Sequence, residues 1–88
     1  MKQVQIRFNG VYADEVTEEV KSIVGEKLLF QIFDYKLGDG YLVNRGCATG
    51  VVDTLEFNKL FELTDTKLRG KAKMYVMDWR RVEHVLPL

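Results

Sequence analysis

The sequence predicts an α+β domain: a mostly antiparallel sheet of about four to five strands with one or two helices packed on one face. Three observations predict it. Val4, Ile6 and Phe8 alternate with Gln3, Gln5 and Arg7, the period-two pattern of a strand with one buried side. Ala13, Val16, Val20, Ile23 and Val24 recur at three- and four-residue spacing, which marks one face of a helix. The remaining strand-like runs are joined by short turns and interrupted by helices, an order that favours an antiparallel sheet with helices on one side. A chain of 88 residues is one domain, spanning residues 1–88.

Asn9-Gly10 follows the first strand, and both residues accept the positive φ of a tight hairpin. The helical period that starts at Ala13 competes with a returning strand. Asp14 and Glu15 suit the positive end of a helix dipole and Gly25 suits the position after its last turn, so a helix over about 14–24 with a turn before it is preferred. Residues 27–35 are apolar on both alternating sets, which suggests a central strand covered on both faces. Gly38-Asp39-Gly40 reads as a turn, Tyr41-Leu42-Val43 as a short strand, Gly46 to Gly50 as a second turn region and Val51-Val52 as another short strand. Asp53 or Thr54 caps a short helix carrying Phe57, Leu60 and Phe61 on one side, although Leu55, Phe57, Phe61 and Leu63 also alternate as a strand would. Residues 64–70 form a polar connector, and 71–79 a last strand in which Ala72, Met74 and Val76 alternate with Lys73, Tyr75 and Met77.

Composition excludes several classes of function. With 47% apolar and 30% charged residues the chain is a folded globular protein. Its single cysteine, Cys47, allows no internal disulfide and no cysteine cluster for zinc, which suits a reduced, cytoplasmic setting. The longest apolar runs are a few residues, far short of a membrane span. Net charge is zero but unevenly placed: residues 1–65 carry a net −4 and residues 66–88 a net +4.

No catalytic set emerges. Cys47 and His84 are each alone of their kind, and their spacing selects no third group to orient an imidazole. One histidine and one cysteine 37 positions apart make no metal site, and Asp14, Glu15, Glu18 and Glu19 read as a solvated helix face. The glycines at 38, 40, 46 and 50 lack the Lys-Ser/Thr and following helix of a phosphate loop. The expectation is a protein that is no enzyme and holds no cofactor or metal. The most suggestive feature is the basic C-terminal segment, where Arg69, Lys71, Lys73, Tyr75, Trp79, Arg80 and Arg81 interleave cations with aromatics. Such residues anchor protein interfaces; on a sheet they also hold phosphates and stack bases. The plainer role for strand lysines is protection of an exposed edge.

Gly38-Asp39-Gly40-Tyr41-Leu42-Val43, then Gly50-Val51-Val52, then Phe57 to Glu62 resemble a pattern in small bacteriophage proteins of uncharacterised role. The resemblance covers about a quarter of the chain, departs from the commoner form by having Leu37 where a proline precedes the Gly-Asp, and carries over no functional residue. It implies a phage or prophage origin more than any activity. With no catalytic set and a compact neutral domain, the expectation is a small phage-type protein that binds a host or phage protein in the host cytoplasm. Two alternatives stand beside it: a nucleic-acid-binding module built on the basic-aromatic strand, and a homo-oligomer that holds a small ligand between subunits.

Overall fold

The computed structural model describes residues 1–77 apart from 37 and 39. Its elements run β1 (Lys2–Asn9), α1 (Ala13–Val24), β2 (Leu29–Lys36), β3 (Leu42–Val52), α2 (Thr54–Asp65) and β4 (Ala72–Met77). The four strands form one antiparallel sheet in the order β2-β3-β1-β4. Two interleaved β-α-β units with this order make a ferredoxin-like arrangement. The expected fold class holds, with four strands.

β1 is central because its alternation fits a face buried under helices. Val4, Ile6 and Phe8 are buried against Val16, Val20 and Leu60, and their burial on this side supplies most of the driving force for closing the domain. Asn9 ends the strand, and its side-chain Oδ1 accepts from the Val11 backbone N–H at 3.0 Å. That cap opens a single 3-10 turn over Gly10–Tyr12 which runs directly into α1, so Asn9-Gly10 starts a helix entry and not a hairpin. α1 then buries Val16, Val20 and Val24 and stops at Gly25, whose φ of 60° a side chain would resist.

β2 departs from expectation: it is an edge strand, not a central one. Leu29, Ile32 and Phe33 are exposed, at 62%, 55% and 48%. Its two-sided apolar pattern mimics double burial because periodicity records composition and not cover.

The segment 41–52 also differs. Leu42–Val52 is one unbroken strand, β3, and Gly46 and Gly50 lie inside it. Their role is close packing, not turning. A Cβ on Gly46 would come within 2.3 Å of the Phe8 ring, and one on Gly50 within 2.6 Å of the Lys27 carbonyl oxygen and 2.7 Å of Leu28. Each glycine gives its space to a core side chain on the strand or loop beside it.

Helix, not strand, is correct for 54–65. Asp53 accepts from the Glu56 backbone N–H at 2.7 Å, and the Glu56 side chain accepts from the Asp53 N–H at 3.0 Å, a reciprocal capping box. α2 buries Leu60 and Leu63. The connector after it is polar in sequence but anchored, since Leu68 is fully buried in the same core.

Candidate binding site on the open face of the sheet

Both helices lie on one side of the sheet, so successive strand residues divide between a covered face and an open one. The open face carries Gln5 and Arg7 from β1, Lys73 and Tyr75 from β4, Arg45, Cys47 and Thr49 from β3, and Leu29, Gln31 and Phe33 from β2. Register places these in rows. Lys73, Arg7, Cys47 and Gln31 lie side by side across the four strands. Asn9, Arg45 and Phe33 form the next row, and Tyr75, Gln5, Thr49 and Leu29 the row before.

Arg7 and Lys73 are therefore direct cross-strand partners of like charge, an arrangement that destabilises a sheet unless something compensates. Arg45 adds a third cation one row along. Among the described residues, no strand places a carboxylate on this face. Asp34 of β2 falls on the other side, where its side chain accepts from Asn44. The acids are gathered on the helices, and they take up the lysines near them: Glu15 holds Lys71 at 2.8 Å, Glu19 holds Lys67 at 2.6 Å, and Glu56 holds Lys27 at 2.6 Å. Those bonds raise the Lys67 and Lys27 pKa values above the usual lysine value. Zero net charge thus conceals a segregated molecule.

The basic end is shaped as well as charged. A half-open hollow of about 760 Å³ is bounded by Arg7, Arg45, Lys71 and Lys73 together with Tyr12, Phe33 and Tyr75. Arg7 is held in place: its Nε donates to Gln5 Oε1 at 2.7 Å, and its guanidinium lies over the Tyr75 ring with 4.6 Å to the centroid. Cys47 sits half-buried between the cations as a free thiol. The described residues contain no group of three or more potential metal ligands.

Lys73 and Tyr75 of the sequence-predicted set are brought together here. Lys71 borders the hollow but is half-buried, paired with Glu15 and set over the Tyr12 ring at 5.9 Å. Arg69 is exposed in the 66–71 connector. Trp79, Arg80, Arg81 and the His84 of the Cys–His idea lie outside the described residues. Sequence reasoning missed Arg7, Arg45, Phe33 and Tyr12. Arg7 was visible as the polar side of β1, but Arg45 was hidden by the reading of Gly46–Gly50 as a turn.

No protein-family model and no curated protein matches this chain, so the resemblance to bacteriophage proteins gains no support. A solved structure does match: that of a candidate PII-like signalling protein from Thermus thermophilus, with a TM-score of 0.58 and 19% identity over 86% of this chain and 82% of that one. The chain has the fold of a PII-like protein. At this identity the likeness concerns the path of the backbone, and the cations of the open face are read from this chain alone.

Proposed function

We propose that this PII-like domain is a small cytoplasmic signalling protein that acts by binding, without catalysis, and that it binds an anionic partner at the basic end of its open sheet face. The observation that carries this is the juxtaposition of Arg7 and Lys73 as direct partners, with Arg45 beside them and no carboxylate on the face among the described residues. A like-charged pair costs stability in the free protein and is relieved by a bound anion. The fold of a candidate signalling protein supports the class of role. No helix among the described residues is long and apolar enough to cross a membrane.

Retention on an immobilised polyanion such as heparin tests it. The wild-type chain is expected to be retained at low salt and released by higher salt. A variant with Arg7→Gln, Arg45→Gln and Lys73→Gln together is expected to pass through unretained. Equal retention of both would refute the site.

A second reading rests on the other end of the face. Gln3 Oε1 is buried there with no hydrogen-bond partner among the described residues, and Val51 is exposed beside it on the neighbouring strand. The exposed Val51 side chain offers apolar surface to a second copy of the chain. Light scattering after size-exclusion chromatography separates the cases: an oligomer that Val51→Glu converts to monomer supports it, and a monomeric wild type removes it.

A further inference from the structure

We propose that the segment from Asp78 to Leu88 folds back as a strap along the groove between α2 and β4, with Trp79 seated on Phe57 and Phe61. The groove lies on the helix side of the sheet, away from the cations of the open face.

The surface to be covered is apolar. α2 packs against β4, the strand at one edge of the sheet. Val76 pairs with Val4, which is fully buried under the helices, so Val76 points to the same side. It is nevertheless 46% exposed. On α2, Phe61 is 57% exposed, and its ring centroid lies 6.4 Å from that of the half-buried Phe57.

Three observations name the occupant. The first is where the chain leaves the sheet. Met77 pairs with Gln3 and Val52 with Lys2, and α2 begins at Thr54, so the end of β4 and the first turn of α2 lie at the same end of the sheet. The Lys2 ammonium, 4.7 Å from the Phe57 ring centroid, sits between them. Asp78 therefore starts beside the groove. The second is length and content. Eleven residues, 78–88, reach about 36 Å when extended, and the twelve residues of α2 span about 18 Å. Trp79, Val82, Val85, Leu86 and Leu88 supply apolar surface to match. The third is the order of charge. Along α2, exposed Lys59 is followed by exposed Glu62 and Asp65, which border Phe61 at helical spacing. Along the segment, Asp78 is followed by Arg80 and Arg81. A strap running from Met77 down the groove sets Asp78 near Lys2 and Lys59, Trp79 at the two phenylalanines, and the arginine pair at Glu62 and Asp65. Opposite charges meet at both ends, and such matching fixes register. Trp79, Arg80 and Arg81 are thereby assigned to a contact within the chain and not to an outside partner.

Trp79 is the single tryptophan of the 88 residues, so its fluorescence reads the strap directly. In the native 88-residue chain its emission is expected to lie to the blue of that of the same chain unfolded in urea. Phe61→Ala removes the seat, and Glu62→Arg sets a cation against Arg80 and Arg81. Each is expected to move the emission toward the unfolded position and to raise its quenching by acrylamide. Ile32→Ala, at the opposite edge of the sheet, is expected to change neither. Circular dichroism of each variant checks that it is folded. Native emission that coincides with that of the unfolded chain overturns the strap, and so does a blue-shifted emission that neither α2 variant moves. Refolding the Phe61→Ala chain with an excess of Trp79→Phe chain, whose groove is intact, separates one chain from two. Emission that stays red-shifted places the strap on its own chain. Emission that returns to the wild-type position gives the groove to the segment of a second copy and overturns the assignment.

Discussion

The two faces of the sheet are built on opposite rules. On the covered face, space is rationed atom by atom: Phe8 lies where Gly46 has no Cβ, and Ile6, Val4, Val52 and Leu60 are fully buried. On the open face, charge is left unbalanced: Arg7 stands opposite Lys73 with Arg45 nearby. The first pattern serves stability, since close packing and buried apolar area hold a domain this small together. The second works against stability, and it is the feature on which the proposed anion site rests. Substitutions on the covered face are therefore expected to unfold the protein, and substitutions on the open face to leave it folded and silent.

The largest expected effect is on the covered side. Ile6→Ala opens a cavity under both helices and is expected to cost about 2–5 kcal/mol. Gly46→Ala comes next: the new Cβ has to displace the Phe8 ring, at about 1–3 kcal/mol. Adding Phe8→Leu to Gly46→Ala should recover part of that loss, a coupling that urea unfolding of the two single variants and the double variant measures. Strictly additive losses would mean that Gly46 is not paired with Phe8.

The open face is expected to respond with the opposite sign. Lys73→Glu turns the like-charged pair with Arg7 into an opposite pair and should stabilise the fold by roughly 0.2–1 kcal/mol. The same change should abolish retention on the polyanion. A variant that melts higher and binds less is the signature of a surface kept unfavourable for function. If Lys73→Glu lowers both stability and binding, the contrast between the faces fails.

That contrast also explains which elements are legible in the sequence. α1 and α2 are legible because each carries a local signal: a valine stripe in one, the Asp53–Glu56 box in the other. β1 and β4 are legible because half their residues face water. β2 is misplaced by its pattern because its exposed apolar residues mimic a buried strand. β3 reads as two pieces because a glycine that admits a neighbouring ring looks, in one dimension, the same as a glycine that turns the chain. The site is half-legible for the same reason. Lys73 and Tyr75 sit close together in sequence, whereas Arg7 and Arg45 reach them only through register, which no local pattern encodes.

The smallest expected effect tests the boundary between the faces, where β3 leaves the sheet and Asp53 turns the chain into α2. The Glu56 backbone N–H donates to the Asp53 carboxylate and holds its pKa below the ordinary 3.8. Because the folded value is the lower one, this contribution to stability is complete above the unfolded value. It is lost as pH falls through the folded one. Asn caps a helix as Asp does but carries no titrating group. Asp53→Asn is therefore expected to track the wild type near neutral pH and to lose less stability on acidification. Every other carboxylate is common to both proteins, so the difference between the two melting curves from about pH 6 to about pH 3 isolates the cap. Parallel curves over that range would show that the box positions α2 by geometry and not by charge.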